Sequence, residues 1–326
     1  MIKKSLAAFA ALILAGFIAV TCFAGTPGNK ARKNLKLVYW NIQNGMWSGQ
    51  GENYDSFVKW VRKQKPDICV WCEAQSIWET GTAKKMPEKD RYLTDNWGEL
   101  AARYGHKYWA IGAHRDNYPQ VVTSKYPIET VKKIAGEAPD SIVTHGAGWF
   151  RINVDGQELN IVTLHTWPQA YAYQATNRDS SKAVNGGDHY RRMEIEYICR
   201  HTVAGAEDDG LWMMMGDFNS RSRVDDYKYK KPENYTGYLV HDYIAGNTFY
   251  IDAVERKHPG TFITSTGGES RIDYLYCSPK LYEKMKSADI ISDSYTTPVR
   301  DPEGLSNFWH PSDHRPIVAE FDLRIR

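Results

Sequence analysis

The chain lacks an excess of charge of either sign. Its 41 Lys and Arg residues stand against 39 Asp and Glu residues, which leaves a formal net charge of +2. Proteins that bind long nucleic acids by neutralising phosphates usually carry an evident positive excess. The overall composition therefore gives no support to a nucleic-acid partner.

Cysteine is also scarce, with five residues in 326. Cys69, Cys72, Cys199 and Cys277 are too few for a disulfide framework of the small-domain kind. Cys69 and Cys72 form a CxxC motif in a strand-like run, where an offset of three places their sulfurs on opposite faces. No second CxxC exists to complete a zinc site. We interpret all four as buried thiols, and their disulfide status stays open.

Long apolar runs are missing after residue 24, so no later segment approaches the length needed to span a bilayer. At the start, Lys3 and Lys4 precede an apolar stretch, and Cys22-Phe23-Ala24 resembles a small-x-small cleavage site. This pattern predicts a signal peptide over residues 1–24 and an exported protein, periplasmic or secreted. Lipid anchoring through Cys22 is the alternative, but Thr21 before it fits that reading poorly. Cleavage would remove two basic residues and no acidic one, leaving a formally neutral chain.

The sequence has no internal repeat, low-complexity tract or Pro/Gly-rich linker, so residues 25–326 are predicted to form a single domain. Short apolar runs rich in β-branched and aromatic residues predict strands. These runs cover residues 35–40, 67–72, 120–128, 148–154, 159–165, 211–217, 272–277 and 316–323.

Helical patterns lie between the strand candidates. Phe57, Trp60 and Val61 fall at i, i+3 and i+4 before Pro66, and Tyr190, Met193 and Tyr197 are predicted to line one face of a second helix. Because strands and helices alternate, the class is α/β or α+β.

Polar residues suited to metal or proton chemistry interrupt the strand candidates at their ends. Four runs end in such residues, namely Asn41, Glu73, His165 and the pair Asp217 and Asn219, and two runs begin with them, namely Asp273 and the pair Asp313 and His314. In a purely parallel sheet, functional groups gather at the carboxyl ends of strands only. The sequence therefore predicts mixed or antiparallel sheets whose strands meet at one mouth in both directions.

Each of these residues also has a structural interpretation, because polar residues are common at turns and strand ends. Taken in order, however, the motifs resemble the endonuclease/exonuclease/phosphatase superfamily, which includes DNase I. The matching pieces are WNIQNG (residues 40–45), Glu73 in CEAQ, His165 in TLH, GDFNS (216–220), RIDY (271–274) and SDHRPI (312–317).

The resemblance implies a four-layer α/β sandwich, with two mixed sheets packed face to face and helices outside. It implies that Glu73 is the principal metal ligand, supported by Asn41 and Asp313. The cofactor would be Mg²⁺, with Mn²⁺ or Ca²⁺ as alternatives, because oxygen donors suit hard cations.

The resemblance also implies catalytic roles for five residues. Asp217 would orient or deprotonate the attacking water, Asn219 would hold a phosphoryl oxygen, and His165 would act on the phosphate or the leaving group. Asp273 would hydrogen-bond His314 and raise its basicity. Whether Asp217 or the Asp273–His314 pair is the base stays open.

Three further residues are candidates for substrate binding: Asn44, Trp167 and Arg221. Trp167 belongs to one of two long aromatic-rich loops, 74–119 and 166–188, and Arg221 opens a locally basic stretch after GDFNS. The aromatic residues could stack on a ring of the substrate or pack their own loops, and the basic stretch could receive an anion or be a solvated loop.

The function predicted from these residues is an exported, monomeric, Mg²⁺-dependent phosphoester hydrolase, with a phosphodiesterase favoured over a monoesterase. A secreted DNase I-like endonuclease, with nucleic acid as its partner, is one alternative. A non-catalytic module on the same fold that binds a glycan or a protein is the other.

We expect the full-length protein, expressed in a secreting host, to be cleaved near Gly25. N-terminal sequencing and intact mass measurement of the exported product would check this. A product that retains Met1, or that carries a lipid on Cys22, would contradict the predicted cleavage.

Overall fold

A computed structural model of the chain describes residues 34–75, 97–114, 118–135, 142–169, 186–206, 210–300 and 309–323. The predicted signal peptide and parts of both aromatic-rich loops lie outside these ranges. Within them, no helix is long and apolar enough to cross a membrane.

The strands confirm most of the sequence predictions. Their bounds are β1 Asn34–Asn41, β2 Ile68–Cys72, β3 Tyr108–Ile111, β4 Val121–Ser124, β5 Ile128–Ile134, β6 Ala147–Val154, β7 Gln157–His165, β8 Leu211–Asp217, β9 Ile251–Asp252, β10 Asp273–Cys277, β11 Met285–Ile290, β12 Val299–Arg300, β13 Trp309–His310 and β14 Ile317–Asp322.

The α-helices of the described residues have bounds α1 Gln43–Met46, α2 Asp55–Gln64, α3 Trp97–Arg103, α4 Asp188–His201, α5 Asp226–Tyr229, α6 Leu239–Asn247, α7 Ala253–Lys257 and α8 Pro279–Glu283. Short 3₁₀ segments cover Trp47–Glu52, Arg223–Asp225 and Thr236–Tyr238.

Two six-stranded mixed sheets form the framework, with strand orders β11-β14-β1-β2-β4-β3 and β5-β6-β7-β8-β10-β9. A third, two-stranded sheet pairs β12 with β13. In the first large sheet β1 runs parallel to β2 and antiparallel to β14. In the second, β7 runs parallel to β8, and β10 is antiparallel to β8. Strands of both directions therefore meet at one edge of each sheet, as the sequence predicted.

Three buried apolar layers separate the sheets and helices. The central layer takes side chains from both sheets, such as Leu37 and Val70 from one and Ile161 and Met213 from the other. A second layer packs the outer face of the first sheet on α2 and α3, and a third packs the second sheet on α4 and α6. This arrangement is the predicted four-layer sandwich.

The alternation of side chains along β2 places its two cysteines in different layers. Cys69 lies in the layer beneath the helices, and Cys72 lies in the layer between the sheets. Cys69, Cys72, Cys199 and Cys277 are all buried free thiols. The prediction of buried thiols on opposite strand faces is confirmed.

Two predicted elements differ from the structure. The run 120–128 is two strands, because the chain leaves β4 after Ser124 and begins β5 in the other sheet at Ile128. The stretch 74–119 is not one loop, since it contains α3 and β3. Trp97 in α3 is buried and donates from Nε1 to the carbonyl of Ala74 at 2.9 Å, which makes it a core residue.

The predicted apolar face of α4 is also wrong. Met193 is 45% exposed, whereas Arg191 and Glu194 are buried. Glu194 accepts hydrogen bonds from the backbone nitrogens of Thr144 at 2.8 Å and Trp167 at 2.7 Å. Arg191 and Glu194 therefore face inward beside the apolar residues of α4 that pack on the second sheet, because their charged groups satisfy buried backbone groups.

A glycine at the end of β8 sets how closely β7 and β8 approach. Gly216 pairs with Leu164, and a Cβ at this glycine would overlap the Leu164 carbonyl group. The following pair in the register is His165 with Asp217. The glycine therefore allows the two polar strand ends to lie side by side.

We expect Gly216→Ala to lower the free energy of unfolding by about 3 kcal/mol, because the new methyl group meets backbone atoms that cannot rotate away. Gly246→Ala is the matched control, since Gly246 lies in α6 with open space around it. The control should raise the free energy of unfolding by about 0.5 kcal/mol, because alanine is favoured over glycine within a helix. Urea denaturation measures both, and equal midpoints for the two variants would contradict the steric argument.

Candidate active site

The parallel strands β1 and β2 bring the first two polar residues together. Asn41 ends β1 and donates from Nδ2 to Glu73 Oε1 at 3.1 Å. The other carboxylate oxygen of Glu73 accepts from the backbone nitrogen of Asn44 at 3.1 Å. Glu73 follows β2 with a left-handed φ of 53°, a conformation that is uncommon outside glycine. Such strain is tolerated where the surroundings fix the side chain.

The second sheet supplies Asp217 and His165 from the ends of β8 and β7. Asp217 Oδ1 accepts from the backbone nitrogen of Asn219 at 2.9 Å, and its Oδ2 accepts from Asn41 Nδ2 at 3.1 Å. His165 Nε2 lies 3.7 Å from the same Oδ2. The amide of Asn41 therefore bridges Glu73 in one sheet and Asp217 in the other.

Asp273 and His314 form a buried pair beside Asp217. Asp273 opens β10 directly opposite Asp217 in the register, and its Oδ2 lies 2.7 Å from His314 Nδ1. Since a carboxylate only accepts, the hydrogen of this bond belongs to Nδ1. His314 Nε2 then faces Asp217 Oδ2 at 3.8 Å.

The loop before β14 is fastened to the end of β1. Ser312 Oγ donates to the carbonyl of Asn41 at 2.7 Å and accepts from the backbone nitrogen of His314 at 3.1 Å. Asp313 Oδ1 lies 3.8 Å from His314 Nε2, and the Asp313 carbonyl accepts from Gly267 at 2.6 Å. Both members of the Asp313–His314 pair therefore serve the same site from this loop.

Burial and mutual repulsion oppose ionisation of the carboxyl groups. Burial, followed by the charge of Asp313, raises the pKa of Glu73. Burial, followed by the charge of Asp273, raises the pKa of Asp217 to about 8. Burial also raises the pKa of Asp313. Asp217 is buried and the other two acids are partly buried, and such a group stores electrostatic free energy that a bound cation would release.

The surroundings shift the pKa values of His165 and His314 in opposite directions. Burial lowers the pKa of His165 to about 3, so its imidazole is neutral at neutral pH. Burial also disfavours the charged form of His314, but Asp273, Asp313 and Asp217 more than offset it and raise the pKa of His314 well above its ordinary value. The site thus holds one neutral and one cationic imidazole.

The donor set fits a hard divalent cation. Ligand atoms of Glu73, His165 and Asp217 lie within 4.8 Å of one another, as do those of Asp217, Asp273 and His314. Asn41 adds an amide beside Glu73, and Asp313 contributes charge next to it. Carboxylate and amide oxygens are the donors that Mg²⁺ prefers. These residues could hold such an ion, with Glu73 as its principal ligand.

The remaining candidates occupy distinct positions. Asn219 donates from Nδ2 to the carbonyl of Thr166 at 3.1 Å, and Asn44 acts on Glu73 through its backbone. Trp167 is 3% exposed, with its ring against Tyr190, so its indole lies inside the protein. Arg221 lies outside the carboxylate cluster, on the stretch that follows Asn219.

Two residues that orient Asp273 were not predicted from the sequence. Tyr39 donates from its hydroxyl to Asp273 Oδ1 at 2.7 Å, and Ser265 Oγ donates to Oδ2 at 2.7 Å. Tyr39 lies two residues before Asn41 in β1 and therefore on the same face, so the period-2 alternation of a strand could have identified it. Ser265 lies in an irregular segment whose contact with Asp273 no local pattern predicts.

Comparison with known proteins relates this architecture to a family. Residues 38–314 match the model of the Endonuclease/Exonuclease/phosphatase family. No curated protein matches the sequence.

Solved structures with similar folds share little sequence with the chain. An AP endonuclease from Archaeoglobus fulgidus is 18% identical with a TM-score of 0.55, covering 89% of this chain and 100% of its own. An endonuclease/exonuclease/phosphatase from Beutenbergia cavernae is 14% identical with a TM-score of 0.54, at 90% and 72% coverage. TDP2 from D. rerio, solved with a single-strand DNA product, is 12% identical with a TM-score of 0.54, at 89% and 99% coverage.

Replacing Asp273 with Asn should lower the pKa of His314, because the variant removes a carboxylate that favours the charged imidazole. The ring signals of His314 in the metal-free protein, assigned with His314→Ala and titrated by NMR, give this pKa. Asp242→Asn is the control, since Asp242 pairs with Arg223 at 2.7 Å on the surface. A pKa of His314 that stays the same in Asp273→Asn would show that the pair does not set its charge.

Proposed function

The chain belongs to the endonuclease/exonuclease/phosphatase family, and we propose that it is an exported Mg²⁺-dependent phosphodiesterase that activates water for attack on a phosphoryl group. The observation that carries the proposal is the bridge of Asn41 between Glu73 and Asp217, with the Asp273–His314 pair beside it. Oxygen donors for a cation and groups that move protons thus meet at one mouth.

Glu73, Asn41 and Asp313 would hold the Mg²⁺ ion. When bound, the ion supplies charge that polarises a phosphoryl oxygen and stabilises the leaving alkoxide. The side chain of Glu73 is oriented for this role by Asn41 and by the backbone of Asn44. The repulsion between Glu73 and Asp313 supports cation binding, because an ion between them would relieve it.

Two groups can take the proton of the attacking water. Asp217 offers Oδ2, which faces the Nε2 atoms of both His165 and His314. The Asp273–His314 pair is the second, since the Nδ1 bond fixes the imidazole and leaves Nε2 toward the site. Either group can act as a base only in its deprotonated form, which the charge of a bound cation would favour. A positioned base of this kind typically contributes about 10²- to 10⁴-fold to the rate.

Neutral His165 is the group proposed to contact the phosphate. Its low pKa means that it meets a phosphate as a hydrogen-bonding group without a charge of its own. Asn219, fixed by Thr166, offers its amide to a phosphoryl oxygen in the same mouth. Together with a bound cation, these residues would surround a phosphoryl group with donors.

An endonuclease that acts on DNA is the second candidate. It is favoured by the solved structures of similar fold, which include an AP endonuclease and TDP2 with a DNA product. The balance of 41 basic against 39 acidic residues argues instead for a smaller phosphoester. A non-catalytic binding module is disfavoured, because the site holds each predicted catalytic residue in contact with another.

We expect the protein of residues 25–326 to hydrolyse bis(p-nitrophenyl) phosphate in Mg²⁺ and to lose the activity in EDTA. Glu73→Gln, which removes the charged ligand, and His314→Ala, which removes the paired imidazole, should each lower kcat/KM by about 10²-fold or more. Plasmid DNA, RNA and an inositol polyphosphate, tested alongside, would identify the substrate class.

Lys59→Gln is the control, because Lys59 is an exposed residue of α2. It should keep the wild-type rate. A folded protein that binds Mg²⁺ in calorimetry and hydrolyses no member of the panel would overturn the proposed activity, as would activity that survives in both site variants.

A further inference from the structure

A basic cavity lies beside the stretch that follows the active site. Its volume is about 320 Å³, and its lining consists of Arg221, Lys228, Tyr229, Lys231, Glu269 and Ser270. Three of these side chains are cationic and one is anionic. The cavity therefore has a local positive excess that the whole chain lacks.

The guanidinium of Arg221 is held in place by groups without charge. Nη1 donates to the hydroxyl of Tyr235 at 3.2 Å, Nη2 donates to Ser270 Oγ at 3.0 Å, and the group lies 5.4 Å from the ring centre of Tyr229. Among the described residues, no carboxylate forms an ion pair with it. Its orientation is thus fixed while its charge remains available to a ligand.

Neighbouring arginines show the contrast. Arg223 pairs with Asp242 at 2.7 Å, and Arg271 pairs with Asp225 and Asp252, each at 2.8 Å. Those arginines are neutralised by the fold. Arg221 differs from them because its partners are hydroxyl groups and rings, which is the arrangement expected of a site that receives an anion from outside.

The two lysines of the cavity are also weakly compensated. Lys228 lies 3.3 Å from Glu269, whose side chain is 84% exposed, and an ion pair this exposed contributes little. The ammonium of Lys231 lies 5.5 Å from the ring centre of Tyr235. A phosphate entering the cavity could replace Glu269 as the partner of Lys228.

Contacts join the cavity to the catalytic residues on two sides. Arg221 follows Asn219 by two positions in the chain. On the other side, the Ser270 carbonyl accepts from the backbone nitrogen of Ser265, whose hydroxyl donates to Asp273. The cavity wall and the support of Asp273 are therefore parts of one segment, so the cavity shares its wall with segments that also carry residues of the active site.

We propose that this cavity binds a second phosphate group of the substrate while the phosphodiester in the active site is hydrolysed. The proposal rests on the proposed function and extends it, because it defines the substrate as a molecule with at least two phosphates. An oligonucleotide and a small bisphosphorylated molecule share this chemistry.

A matched pair of chromogenic esters tests the subsite. The p-nitrophenyl ester of thymidine 5′-phosphate carries one phosphate, and the same ester with an added 3′-phosphate carries two. Wild type should prefer the second by about tenfold or more in kcat/KM, chiefly through KM, because charge-assisted hydrogen bonds to a phosphate are strong. The Lys228→Gln/Lys231→Gln variant should bring the ratio close to 1.

Two further variants sharpen the result. Glu269→Gln removes the competing carboxylate and should raise the preference, which a merely structural role would not do. Lys59→Gln removes one exposed positive charge from α2 and should leave the ratio as in wild type. A preference that persists in the double lysine variant, or that falls equally in Lys59→Gln, would overturn the proposal.

Calorimetry separates this proposal from the proposed function. Inorganic pyrophosphate and a thymidine tetranucleotide, titrated without divalent metal, should each bind at least tenfold more weakly to the double lysine variant than to wild type. Tighter binding of the tetranucleotide would assign the second phosphate to a polynucleotide, and tighter binding of pyrophosphate to a small molecule. Equal binding of both probes to wild type and variant would overturn the subsite, even if neither ester is hydrolysed.

Discussion

Three carboxyl groups, one buried and two partly buried, share one mouth, where burial and repulsion between acids oppose their ionisation. Glu73, Asp217 and Asp313 are kept together by neighbours that orient them, and the amide of Asn41 joins Glu73 to Asp217 across the two sheets. A fold pays for such a cluster in stability, because like charges out of water destabilise the native state. The rest of the site can be understood as the means of holding this cluster in one arrangement until a cation compensates it.

The sheets provide that arrangement through strand direction. In each sheet two parallel strands end at the mouth and an antiparallel neighbour begins there, so the polar residues at these six strand ends converge. This convergence could be predicted because a polar residue at the end of an apolar run can be recognised in the sequence itself. It also predicted the four layers, through the resemblance of the ordered motifs to a known family.

What the sequence did not predict depends on contacts between distant segments. Ser265 and Ser312 hold Asp273 and Asn41 by hydrogen bonds that span irregular stretches, where no periodicity exists. The prediction of the inward face of α4 was wrong for a related reason. Hydrophobic periodicity assumes that buried means apolar, whereas Arg191 and Glu194 are buried because the backbone of the segment after β7 needs partners. Polar burial of this kind is set by the tertiary structure and leaves no local pattern.

The division between chemistry and substrate choice follows from the same physics. The groups proposed to hold a cation and move protons need a fixed mutual orientation, so they lie at or near strand ends, where the backbone is fixed. Groups that choose a substrate must remain solvated until the substrate arrives, and the residues of the proposed subsite, Arg221, Lys228 and Lys231, are partly or fully exposed on the segment after β8. A chain with nearly balanced charge can still attract an anion if its uncompensated cations are gathered beside the reacting centre. In the proposed function, the balanced overall charge therefore disfavours a long polyanion, while the local arrangement of cations selects the short one that is received.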